Sequence, residues 1–136
     1  MNDETRILIV EDLVSDYELA RYEIRRSLEN CKFERVDEKK AFLLAIRDFQ
    51  PDLILTDYSL PGWDGMKVLK LAQKNSPSIP VIIWTGSVGE SVAVECMKKG
   101  AANYVLKEDP AQLGTAVVQA LEEKNRQFEN KLTDER

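Results

Sequence analysis

Asp52-Leu53-Ile54-Leu55-Thr56-Asp57 runs directly into Tyr58-Ser59-Leu60-Pro61-Gly62-Trp63-Asp64-Gly65. Leu53 to Thr56 is an unbroken apolar and β-branched run of strand length, as in a strand covered on both faces, and it ends on an acid. Pro61, Gly62 and Gly65 then break the chain into a loop. Asp57 is therefore expected at the carboxyl end of a buried strand, where open α/β sheets gather their ligands. A carboxylate placed there adds little to packing and is a candidate nucleophile or metal ligand.

Toward the N-terminus, Arg6-Ile7-Leu8-Ile9-Val10 is a second continuous apolar run, and it ends in Glu11-Asp12. Tyr17, Ala20, Ile24 and Leu28 recur at helical spacing and predict an amphipathic helix over 15–30. Phe33 to Asp37 is short and mixed, as an exposed edge strand would be. Asp37 can cap a second helix whose apolar positions are Ala41, Leu44, Ala45 and Phe49, closed by Pro51.

Toward the C-terminus, Gly65 opens a third helix through Val68, Leu69 and Ala72. Pro80 to Trp84 is the fourth strand and runs into Thr85-Gly86-Ser87. Ser87-Val88-Gly89-Glu90 has capping-box spacing for a fourth helix that reaches Lys99 and stops at Gly100. Asn103 to Leu106 is the fifth strand and delivers Lys107. Asp109-Pro110 reads as an N-cap and first-turn proline for a last helix with Leu113, Val117, Ala120 and Leu121 on its apolar face. Beyond Glu123 that face thins to Phe128 and Leu132. Trp63, Trp84, Cys96 and Met97 read as packing residues, with an exposed edge near Met97 available to a partner.

A chain of 136 residues, 43% hydrophobic and 32% charged, suits one soluble domain with a substantial core. We expect a domain over 1–123 and a charged helical extension or linker over 124–136. The formal net charge of -5, with no dense Lys/Arg cluster, argues against direct binding to nucleic acid or an anionic membrane. Cys31 and Cys96 lack CxxC spacing, which disfavours a disulfide framework or zinc site and points to a reducing compartment, the cytoplasm. The sequence contains no histidine, which excludes Ser-His-Asp and Cys-His catalysis and any phosphohistidine on this chain. No apolar run approaches a membrane span, and the Met1-Asn2-Asp3-Glu4 start carries no signal-peptide pattern.

Five strands alternating with five helices through short connections imply an α/β, doubly wound parallel sheet with helices on both faces. The carboxyl ends of strands one, three, four and five then share one edge, which collects Glu11, Asp12, Asp57, Thr85 and Lys107. Three crowded carboxylates cost several kcal/mol unless a cation compensates, and Mg²⁺ suits an all-oxygen set that keeps waters. A Lys ammonium and a Thr hydroxyl opposite could hold phosphoryl oxygens. Asp57 is left as the nucleophile that forms an acyl phosphate.

The paired acids after strand one, the D-x-x-L-P-G-x-D-G loop, the Thr-Gly after strand four and the Tyr-Val-Leu-Lys of strand five together resemble the receiver domain of bacterial two-component response regulators, in particular the chemotaxis regulators. The resemblance covers Thr5 to Glu123. It implies a flavodoxin-like (βα)5 fold with five parallel strands in the order 2-1-3-4-5. It also implies that Asp57 takes a phosphoryl group from a phosphohistidine of a histidine kinase or histidine phosphotransfer domain, in a Mg²⁺-dependent step that the receiver itself catalyses.

In that family pattern Asp12, Asp57 and the backbone carbonyl of Ser59 ligate the metal and Glu11 acts through its waters. Lys107 holds the phosphoryl oxygens, Thr85 swings onto them, and Tyr104 follows from an outward to an inward rotamer. Helix four, strand five and helix five form the output face, toward a downstream protein or an attached output or sensor-kinase domain, and offer a homodimer contact. With so few acid-base groups the site suits a persistent phosphoryl group and slow autodephosphorylation rather than fast turnover. Ser59 and Ser87 are expected to influence how water reaches it.

The sequence departs from the family pattern in two places. Glu108 stands where proline usually follows the lysine, so a trans bond is expected after Lys107 and an acid lies near its ammonium. The chain also shows no DNA-binding or enzymatic output domain, as in a single-domain regulator or a receiver joined to sensor and histidine-kinase modules. Two other functions are weighed: a degenerate receiver that binds partners constitutively, against which the complete acid, Thr and Lys set counts, and an aspartate-nucleophile phosphatase. The latter is disfavoured because Ser59, not a second acid, follows Asp57 by two residues.

Overall fold

The apolar runs dictate the architecture, because Ile7 to Val10, Leu53 to Leu55 and Val81 to Trp84 are all buried and so need cover on both faces. The computed structural model describes residues 4–86 and 89–134, with side chains through 129. Five strands, β1 (Thr5–Val10), β2 (Cys31–Val36), β3 (Leu53–Thr56), β4 (Val81–Thr85) and β5 (Asn103–Leu106), pair in parallel in the order β2-β1-β3-β4-β5. The expected strand order is thus observed. Ser59–Leu60 and Trp63–Asp64 form a separate two-stranded antiparallel pair that the sequence reading took as plain loop.

The period of two along each strand divides the core. Ile7, Ile9, Leu53, Leu55, Ile82, Trp84 and Val105 face α1 (Val14–Ser27) and α5 (Gln112–Asp134), which contribute Ala20, Ile24, Leu113, Ala116, Val117 and Ala120. Leu8, Val10, Ile54, Val81 and Ile83 face α2 (Lys39–Asp48), α3 (Gly65–Asn75) and α4 (Glu90–Lys98). Each fully buried Leu, Ile or Val side chain contributes about 1.5–3 kcal/mol relative to exposure, so the sheet edge is mounted on a stiff double layer.

Several local expectations need correction. The apolar stripe of α2 is Phe42, Ala45 and Ile46, with Leu44 43% exposed, because Phe42 and Ile46 lie on the side that packs against the sheet and α3. Its N-cap is Glu38 rather than Asp37; the Asp37 carbonyl instead accepts from the Trp63 indole at 3.1 Å. Asp109 and Pro110 lie in a turn that precedes α5, which starts at Gln112. Met97 is 45% exposed while Cys96 is buried. The capping box expected at Ser87 to Glu90 is corrected: α4 starts at Glu90 with extended Gly89 as its N-cap, so Glu90 is the first helical residue rather than the third. The role given to Ser87 and the Leu132 side chain lie outside the described residues. No described helix is long and apolar enough to cross a membrane.

Candidate functional site at the carboxyl edge of the sheet

Strand register brings the site together. Val10 partners Thr56 and Thr56 partners Ile83, so β1 and β3 end side by side. Glu11 and Asp57 therefore leave adjacent strand ends, and the Asp57 N–H still donates to the Val10 carbonyl at 3.0 Å. Thr85 partners Leu106, and the Lys107 N–H donates to the Thr85 carbonyl at 2.9 Å. Continuing the ladders one residue past the strands fixes the backbone under both the acids and the lysine.

Gly65 sets the other wall. A Cβ there would lie 2.9 Å from the Asp57 carbonyl oxygen and 3.0 Å from Tyr58 Cα, so only glycine lets the start of α3 sit this close. The Gly65 N–H donates to the Tyr58 carbonyl at 2.7 Å, and the Asp64 carboxylate caps α3 by accepting from the Lys67 N–H at 2.9 Å.

Glu11, Asp12 and Asp57 each offer a carboxylate oxygen within 4.8 Å of the others. Glu11 and Asp57 are buried. Burial pushes the Glu11 carboxyl up to about 7; the Lys107 ammonium and the Leu13 N–H pull it back only in part, and the Asp57 charge adds to the rise. Ser59 donates its N–H to Asp57 Oδ1 at 3.3 Å, and Leu13 donates to Glu11 Oε2 at 3.2 Å. A tight, partly buried all-oxygen cluster is the donor set a hard divalent cation fits.

Lys107 Nζ lies 2.6 Å from Glu11 Oε1, 2.7 Å from Asp16 Oδ2 and 2.9 Å from Asp57 Oδ2. Burial alone would lower its pKa; the hydrogen bonds to Asp16, Asp57 and Glu11 outweigh burial and raise it. The ammonium also lies 5.2 Å from the ring centre of buried Trp84, a cation–π contact on its sheltered side. Glu108 is exposed and is not among the ammonium's partners. No cis peptide bond occurs among the described residues, so the bond after Lys107 is trans as expected.

Of the residues singled out from sequence, Glu11, Asp12, Asp57 and Lys107 converge, and Ser59 joins them through its backbone N–H. Thr85 is buried at the end of β4 beside the Lys107 backbone. Tyr104 stands apart. Its ring packs against the apolar layer that includes Ile83 and Cys96, away from the acids, and its hydroxyl is buried with no hydrogen-bond partner among the described residues.

Asp16 was missed. Its position in the first turn of α1 reads as an acid favoured by the helix dipole and facing water. The signal that could have exposed it is its place in the first turn of the helix that starts just after Glu11-Asp12, at the carboxyl edge of the sheet.

A family model described as a response regulator receiver domain matches residues 7–118. The regulatory protein AtoC of Escherichia coli (strain K12) is 31% identical over 118 residues, which cover 86% of this chain and 25% of that protein. The chain thus spans about a quarter of that relative. The chemotaxis protein CheY of Listeria monocytogenes is 28% identical over 120 residues, 86% of this chain and 95% of CheY. Among solved structures, a CheY-like response regulator receiver domain protein from Methanospirillum hungatei JF-1 superposes with a TM-score of 0.81 at 25% identity, over 92% of this chain and 99% of that one. NtrX from Brucella abortus superposes with a TM-score of 0.83 at 26% identity, over 98% of this chain and 30% of NtrX.

Proposed function

This chain belongs to the response regulator receiver domain family, and from that premise we propose that Asp57 accepts a phosphoryl group from a phosphohistidine on a histidine kinase or histidine phosphotransfer domain. The observation that carries this reading is the Lys107 ammonium 2.9 Å from Asp57 Oδ2, beside the Glu11, Asp12 and Asp57 cluster. An Asp57 carboxylate oxygen attacks phosphorus. The O–P bond forms as the N–P bond to the donor imidazole breaks, and that bond's electron pair stays on the imidazole nitrogen.

Asp12, Asp57 and the Ser59 carbonyl would hold Mg²⁺, with Glu11 acting through its waters; the bound ion supplies positive charge against the phosphoryl oxygens. Lys107 donates to the same oxygens, and the Thr85 hydroxyl turns toward them from the end of β4. Movement of Thr85 frees the space into which Tyr104 packs more firmly, which alters the surface of α4, β5 and α5. A downstream protein, an attached output domain or a second copy of the chain reads that surface. The two cysteines, Cys31 and Cys96, are free and buried, in keeping with action in the cytoplasm.

The test is intact mass of the purified chain after incubation with phosphoramidate, with and without Mg²⁺, beside Asp57→Asn. One added phosphoryl group that requires both Mg²⁺ and Asp57 is expected. Steady release of phosphate over many turnovers would identify a phosphatase instead, and no adduct under any condition would identify a receiver that works by binding alone.

A further inference from the structure

Resting on the phosphoryl-acceptor reading, we propose that Asp16 is a positioning residue for Lys107, the carboxylate that keeps the ammonium at the site when Glu11 and Asp57 no longer hold it. An ammonium has three N–H donors. Here three carboxylates, from Glu11, Asp16 and Asp57, surround it at 2.6, 2.7 and 2.9 Å. Two of those three have other duties. Glu11 and Asp57 belong to the cluster that fits a divalent cation, whereas Asp16 lies outside it. Asp57 also gives up its negative charge when one of its oxygens bonds to phosphorus.

Asp16 is therefore the one partner that the reaction never withdraws. It reaches the lysine from a different element, the first turn of α1, and with 27% of its side chain exposed it is the most accessible of the three acids. The lysine needs such an anchor. Its flexible four-carbon stem is followed by exposed Glu108, not by a residue that stiffens the loop, and a compact, strongly hydrated ammonium is easily drawn off into water. Trp84 limits where it can go on the inner side, at 5.2 Å, and Asp16 limits it on the outer side.

The experiment compares the full chain with Asp16→Asn and Asp16→Glu, using phosphoramidate and Mg²⁺. It follows adduct formation by intact mass and, with Mg²⁺ but no donor, proton exchange of the Lys107 ammonium by NMR. Circular dichroism checks folding. Asp16→Asn is expected to slow adduct formation about fivefold to tenfold, the difference between a charge-assisted and a neutral hydrogen bond, since the amide oxygen still accepts, and to speed ammonium exchange by a similar factor; Asp16→Glu is expected to recover most of both. A folded Asp16→Asn protein that reacts as fast as the unsubstituted chain, or faster, overturns the proposal. If the unsubstituted chain takes no phosphoryl group, the acceptor reading fails, and the exchange rate alone decides the role of Asp16: unchanged exchange in Asp16→Asn overturns it.

Discussion

Glu11 is a buried carboxyl held at about 7 against an ordinary value of 4.5, and that difference links the site to stability. The native state binds the proton more tightly than the unfolded chain does, so the stabilisation from this group is complete below pH 4.5 and is lost as pH rises through about 7. The loss amounts to about 3 kcal/mol for this group alone. Urea unfolding without Mg²⁺ is expected to show the protein losing stability relative to Glu11→Gln between pH 5 and pH 8, with Mg²⁺ restoring it at pH 8 far more than at pH 5. A constant difference across that range would show that Glu11 is ionised throughout. Residues of this kind were legible in the sequence because an acid after an apolar run has no packing role there, and Glu11, Asp12 and Asp57 all fit that description. Asp16 was not, because an acid in a helix's first turn already has an ordinary explanation in the dipole, and only the three-dimensional position of Lys107 reveals the second one.

Elements place these residues through close backbone contacts, and the start of α3 is the tightest. At Gly65 an added Cβ meets the Asp57 carbonyl oxygen at 2.9 Å, and backbone cannot yield as a side-chain end can. Gly65→Ala is expected to cost about 1–3 kcal/mol in urea unfolding and to weaken the Mg²⁺ response of Trp84 fluorescence, since the Asp57 to Ser59 backbone must shift. Unchanged stability and an unchanged Mg²⁺ response would mean that the loop relaxes freely. The four strands with apolar runs were readable to within a residue, because such runs of strand length suit a sheet covered on both sides; the mixed edge strand was expected at Phe33 to Asp37 but spans Cys31–Val36, because its polar residues leave its ends unmarked. The face of α2 was not: Leu44 and Phe42 are both apolar, and which of them is buried depends on how the helix is rolled against its neighbours. The antiparallel pair Ser59–Leu60 and Trp63–Asp64 was equally hidden, because its turn carries Pro61 and Gly62, which read as loop; Trp63 stabilises it by bonding to the Asp37 carbonyl and meeting the Phe42 ring edge-on at 5.9 Å.

At the scale of the whole molecule, the sheet order and parallel registers carry four strand ends to one edge, so that residues as distant as Glu11 and Lys107 come within 2.6 Å. That convergence followed from alternating strands and helices, and the strand order followed from resemblance to a known family. Past Glu123, where the sequence suggested a charged helical extension or linker, α5 continues without a break to Asp134, because helical propensity persists where apolar burial fades; Phe128 is 63% exposed there. The sheet edge nonetheless holds several carboxylates, and the account requires that one of them alone becomes phosphorylated. The direct measurement is peptide mapping by mass spectrometry after phosphoramidate and Mg²⁺ treatment and borohydride reduction, which converts an acyl phosphate to the alcohol. Reduction confined to position 57 is the expected result, and reduction at Glu11, Asp12 or Asp16 in place of position 57 would contradict the account.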